Sequence, residues 1–141
     1  MSKILIADKD LSRAQFIRRI LIRRDIGSFG DIVLICNGLQ ARERLLVKSY
    51  DLVIIGEDLD GMSGLNCIRY LLEKNTKHSI LLLINNPRVE TTREALLLGV
   101  QGLYELPIWI DGFVAIIQGM LNNRRIGFGI PIYELYTKRL S

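Results

Sequence analysis

Histidine and cysteine are almost missing from this chain, with one histidine, His78, and two cysteines, Cys36 and Cys67, among 141 residues. That scarcity leaves little material for a zinc site, a redox pair or a disulfide framework, and the spacing of the two cysteines matches none of them. Both are expected to be buried free thiols. His78 is expected in an exposed loop between Lys77 and Ser79, with no Ser/His/Asp or Cys/His grouping around it to build a nucleophile. Long apolar runs are missing too. The longest, 80–84 and 52–55, have the length of buried strands and fall well short of the roughly 18 residues of a membrane span. Membrane insertion is therefore not expected. The chain opens Met1-Ser2-Lys3 and goes straight into Ile4-Leu5-Ile6 without the apolar stretch and cleavage site of a secretory signal, so cytoplasmic residence is the expectation. No phosphate-cradling G-x-x-x-x-G-K-[ST] loop follows that first run, and no paired acid and base stand out, so neither an enzyme nor a cofactor is expected.

What is present is the composition of a globular domain. Hydrophobic residues make up 49% and charged residues 24% of the chain, enough for one sizeable core. The net charge is +4 and it is unevenly spread: Arg13, Arg18, Arg19, Arg23 and Arg24 crowd one early segment. Such a cluster reads as a solvated helix face, or as a dock for an acidic protein or nucleic acid.

Five aliphatic runs, 3–7, 31–36, 51–55, 79–84 and 102–105, alternate with five segments of helical periodicity, near 12–24, 39–49, 65–73, 89–98 and 110–121. Ser12 stands where it can cap the first helix. The runs are apolar throughout, without in-out alternation, which is the pattern of a parallel sheet covered on both faces. The expected fold class is α/β, a flavodoxin-like (βα)5 three-layer sandwich with parallel strand order 2-1-3-4-5. The expected division is a domain over 1–121 and a C-terminal extension over 122–141. Within the extension, 122–125 reads as a helix end and hinge, 126–132 as an extended stretch, and 133–140 as a short helix. In such sheets the functional crevice lies at the carboxyl ends of the strands.

Three motifs sit at those ends. Ile4-Leu5-Ile6-Ala7-Asp8-Lys9-Asp10 closes the first strand, Asp51 to Leu65 spans the third strand and its glycine-punctuated loop, and Gly99 to Ile108 spans the fifth strand and its proline turn. In this order they resemble the receiver domain of bacterial response regulators, the CheY-like family, over about residues 3–121. The resemblance implies a site in which an aspartate at the end of the third strand takes a phosphoryl group. Two acids after the first strand hold magnesium, and a lysine and a hydroxyl residue grip the phosphoryl oxygens. Matched residue by residue, the acceptor position is Gly56, the hydroxyl position Ile84, the lysine position Leu106 and the second acid Lys9; only Asp8 is kept. The resemblance therefore implies a degenerate phosphorylation site and a pseudo-receiver. Glu57, Asp58 and Asp60 lie near the lost acceptor by sequence proximity alone. Lys9 is expected to stand in for the metal electrostatically, paired with Asp8 or Asp58.

The family's switch aromatic in the fifth strand falls on Leu103, with Tyr104 one place later and so on the opposite face. Receivers use the fourth helix, fifth strand and fifth helix to meet partners. The resemblance thus points to Leu103, Tyr104, Trp109, Phe113 and Ile117 as a partner surface. The expected function is a phosphorylation-independent protein-interaction or regulatory module in bacterial signalling, with a protein partner or a second copy of the chain. The alternative is nucleic-acid or transcription-complex binding through the Arg-rich first helix. Against that alternative stand the missing aromatic platform and recognition helix.

Overall fold

The structure is a computed structural model that describes residues 2–76, 78–86 and 88–125; the expectations for 126–140 lie outside the described residues. Five parallel strands, β1 Ile4–Ala7, β2 Ile32–Ile35, β3 Leu52–Gly56, β4 Ile80–Ile84 and β5 Gly102–Glu105, form one sheet in the order 2-1-3-4-5. Each strand is followed by a helix: α1 Leu11–Arg23, α2 Gly38–Val47, α3 Gly64–Glu73, α4 Val89–Leu97 and α5 Ile110–Arg125. A short 3-10 turn, Phe29–Asp31, leads into β2. The expected flavodoxin-like fold is the one observed.

Side chains alternate across the sheet and build two cores. Ile4, Ile6, Leu52, Ile54, Leu81 and Leu83 face α1 and α5, where they meet Ile17, Leu21, Phe113 and Ile117. Leu5, Val53, Ile55, Leu82 and Ile84 face α2, α3 and α4, against Leu45, Ile68, Leu71 and Ala95. Both faces of each central strand are thus covered, and this is why the strands read as unbroken apolar runs. Among the described residues no helix is long and apolar enough to cross a membrane.

Four local expectations need correction. The cap of α1 is Asp10, whose carboxylate accepts from the Arg13 N–H, and Ser12 lies inside the first turn. The fifth helix continues to Arg125, through the stretch expected as its end and hinge, because Asn and Arg pairs do not stop a helix as Gly or Pro would. Cys67 is buried as expected, and burial pushes its thiol up to about 11, with the charge of Arg42 opposing. Cys36 instead is exposed, since it follows the end of an edge strand. His78 is half-buried, not exposed, and its Nε2 is enclosed without a hydrogen-bond partner.

Candidate functional site: the crevice at the strand ends

β1 and β3 are hydrogen-bonded neighbours in register, with Ala7 opposite Ile55. Asp8 and Gly56 therefore emerge side by side at the carboxyl edge of the sheet. A Cβ built on Gly56 would lie 3.7 Å from the Ala7 carbonyl oxygen and 3.8 Å from the Asp8 carboxylate, both ordinary contact distances. Nothing in the packing requires glycine there. Gly64 is different: its Cβ would collide with the Gly56 carbonyl oxygen. There only glycine lets α3 start so close to the strand end.

Asp8 is fully buried, and a buried carboxylate needs partners. It has three. Its Oδ2 accepts from Arg13 Nε at 2.6 Å, and its Oδ1 accepts from Arg13 Nη2 at 2.8 Å and from the Asp10 N–H at 2.9 Å. The guanidinium thus takes both carboxylate oxygens in the fork geometry that suits arginine. The hydrogen bond to Asp8 holds the Arg13 pKa above its ordinary value, against partial burial. Arg13 reaches this place because Asp10 starts α1 two residues after Asp8, so the third helical residue stands over the strand end.

Lys9 turns the other way. Its Nζ lies 3.9 Å from Asp58 Oδ2 and 4.0 Å from Asp60 Oδ1, with all three side chains at least half exposed. The expected pairing with Asp58 is observed; the pairing with Asp8 is not, since Arg13 holds that carboxylate. Screening makes the Lys9 contacts weak. Glu57 does structural work. Its Oε2 accepts from the Leu65 N–H at 3.0 Å, while Ser63 Oγ accepts from the Asn66 N–H at 3.2 Å, so the two side chains share the first turn of α3. Burial pushes the Glu57 carboxyl up, the Leu65 N–H opposes this, Asp58 adds to it and Arg69 opposes it.

The remaining matched positions are apolar and packed. Ile84 and Leu103 are buried in the core that faces α2, α3 and α4. Leu106 is partly buried against the other core, and its N–H donates to the Ile84 carbonyl at 2.9 Å. Tyr104 lies on the opposite face from Leu103, edge-on to Phe113 at 5.1 Å. Its hydroxyl accepts from the Trp109 N–H at 2.8 Å and contacts the Trp109 carbonyl oxygen at 3.3 Å.

Magnesium, which the fold family implies at this edge, does not fit these residues. Asp8 has both oxygens occupied by a guanidinium, a lysine stands at the position of the second acid, and Gly56 at the end of β3 has no carboxylate. Among the described residues no three His, Cys, Asp or Glu side chains are grouped to hold a metal ion.

The expected partner surface also needs correction. Leu103, Tyr104, Phe113 and Ile117 are all 1% exposed or less; they are core, because α5 turns its apolar stripe inward onto the sheet. Trp109 alone of the five is on the surface, 63% exposed. Its ring lies over Gly112, where any Cβ would strike it. On α1 and at its C-cap, three more arginines make contacts within the chain. Arg18 stacks on Phe29 at 4.5 Å, Arg19 stands over Phe16 at 6.0 Å, and Arg24 pairs with Asp111 at 3.2 Å.

No protein-family model matches the chain, and no curated protein does. Solved structures match over most of its length. The CheY-like response regulator receiver domain protein from Methanospirillum hungatei superposes with TM-score 0.81 at 13% identity, covering 90% of this chain and 98% of that one. The receiver domain of the Francisella response regulator 1452 gives 0.79 at 22%, covering 88% and 99%. The receiver domain of a Pseudomonas aeruginosa sensor histidine kinase, solved with magnesium in its active site cleft, gives 0.74 at 17%, covering 86% and 98%.

Proposed function

For a chain with the receiver (CheY-like) fold, we propose a phosphorylation-independent protein-interaction or regulatory module in bacterial signalling, acting in the cytoplasm. The observation that carries this is Gly56: the strand end where family receivers place their acceptor has no side chain, although the packing would accept a Cβ there. The supporting positions agree. Leu106 has no charge to grip a phosphoryl oxygen, Ile84 has no hydroxyl, and Glu57 is committed to the first turn of α3. A receiver without acceptor and grip cannot run the in-line transfer, which depends on positioning and charge stabilisation.

Ile84 and Leu103, where the family's switch pair would stand, are both packed apolar side chains. A single packed state with a constant binding surface suits this core better than a two-state switch. Trp109 is the anchor of that surface in this reading. A large exposed aromatic is the residue type that dominates interface energetics, and the Tyr104 hydroxyl fixes its backbone. The arginine contacts on α1 speak against the nucleic-acid alternative, since side chains stacked on aromatics and paired with acids are less available to phosphates.

Incubation of the chain with acetyl phosphate and magnesium chloride, followed by intact-mass measurement, tests the reading. The expected result is an unmodified mass. A phosphoryl adduct on any carboxylate of the crevice, Glu57, Asp58 and Asp60 included, would overturn it.

A further inference from the structure

The chemistry of the crevice leaves one charge to explain. Asp8 is fully buried at the head of α1, where an ionised carboxylate without a counter-charge is strongly disfavoured. In a crevice of this kind a divalent ion can supply that counter-charge. Here Arg13 donates to Oδ2 at 2.6 Å and to Oδ1 at 2.8 Å, and its Nη1 stands 4.0 Å from Asp10 Oδ2 as well. The guanidinium faces the two carboxylates of the β1–α1 junction together. Lys9 adds a second cation, an ammonium, on the loop side, between Asp58 and Asp60.

We propose that Arg13 is the resident cation of this crevice: it neutralises Asp8 from within the chain, and by occupying both carboxylate oxygens it excludes a divalent metal ion. The inference goes beyond the absence of phosphoryl transfer, because a crevice could lack an acceptor and still bind a metal. It also sets Arg13 apart from Arg18, Arg19 and Arg24, whose contacts are with aromatic rings or an exposed acid. A bidentate pair is stereospecific. Lysine at position 13 would supply the charge without the fork, so it should replace arginine only in part.

Two measurements on the full chain test this. The first is titration with manganese, followed by the electron paramagnetic resonance signal of the free ion. The wild-type chain is expected to leave the signal unchanged. Lys9→Asp, which supplies a second acid while Arg13 still holds Asp8, is expected to leave the signal unchanged as well; Arg13→Gln added to Lys9→Asp frees Asp8 of its charge partner and is expected to bind the ion, and Asp8→Asn in that background is expected to lose it again. Wild-type binding that Asp8→Asn abolishes, or identical manganese behaviour of Lys9→Asp with and without Arg13→Gln, would overturn the proposal.

The second measurement is thermal unfolding without metal, which stays informative if a variant is too unstable to titrate. Arg13→Gln is expected to lower the midpoint by about 10 °C. Adding Asp8→Asn should recover most of that loss, because the buried charge is then gone. An unchanged midpoint in Arg13→Gln, or a double variant no more stable than the single one, counts against Arg13 as the counter-ion.

Discussion

Gly56 and Gly64 stand eight residues apart and are glycine for different reasons. At Gly64 a methyl group would enter the Gly56 carbonyl oxygen, whereas at Gly56 it would rest at 3.7 Å or more from its neighbours. Gly56→Ala should therefore be neutral, or stabilising by about 0.5 kcal/mol through the unfolded state, while Gly64→Ala should cost about 3 kcal/mol in overpacking. Urea unfolding of the two variants measures the contrast. Equal losses would mean that Gly56 is a packing requirement and says nothing about a lost acceptor. His78 provides a pH test at the same scale. Burial lowers its pKa, with the Leu45 backbone opposing, so the fold favours the neutral ring and the unfolded chain binds more protons. Its contribution is therefore constant above about pH 6.5, the ordinary histidine value, and stability declines as pH falls below it. His78→Gln should flatten the stability profile between about pH 5 and 7, measurable as the urea midpoint at each pH. A slope unchanged by the substitution would assign it to other groups.

At the scale of elements, the starts of α1, α2 and α3 are made by short polar side chains at the crevice edge, Asp10, Asn37 and Ser63. Asn37 caps α2 by accepting from the Leu39 and Gln40 N–H groups at 2.8 and 3.2 Å. The loop after β3 docks at the same place, with the Gly38 N–H donating to the Asp60 carbonyl at 2.8 Å. Asn37→Ala should cost about 1 kcal/mol in unfolding free energy; a loss within error would mean that the loop contact alone holds the helix start. At the β5–α5 junction the Tyr104 hydroxyl takes the Trp109 N–H, and Gly112 leaves room for the indole ring. Gly112→Ala should displace that ring while leaving the core intact, seen as a shift in tryptophan emission at an unchanged far-ultraviolet circular dichroism spectrum. Trp109 is the chain's single tryptophan, so an unaltered emission spectrum would remove the idea that Gly112 positions it.

For the whole molecule, the two cores on either side of the sheet make one packed unit whose stability should not respond to the ligands of a working receiver. A ligand that binds only the folded state at 100 times its dissociation constant adds about 2.7 kcal/mol. Magnesium chloride with beryllium fluoride, a phosphoryl mimic, should leave the thermal midpoint of this chain where it is. An upward shift of several degrees would mean that the crevice still binds such an anion and would contradict the proposed loss of metal and phosphoryl binding.

The strand order rests on the usual form of five such units, whereas the unbroken apolar strands and their alternation with helices were sufficient to read the α/β class and the positions of Asp8, Lys9, Gly56, Ile84 and Leu106 at the strand ends. Those features are periodic or adjacent in sequence, and the sheet only carries them into space. Tertiary structure decided the partners. Arg13 looked like one arginine among five, and its bond to Asp8 depends on where Asp10 starts α1 relative to the end of β1. The side chains of Leu103, Tyr104, Phe113 and Ile117 looked available for a partner, yet the helix and sheet turn them inward. Trp109 alone of that group stays outside, because its backbone is held by Tyr104 while its ring lies across Gly112. Burial and charge pairing depend on the direction in which each side chain leaves its element, and this is settled only when the elements pack.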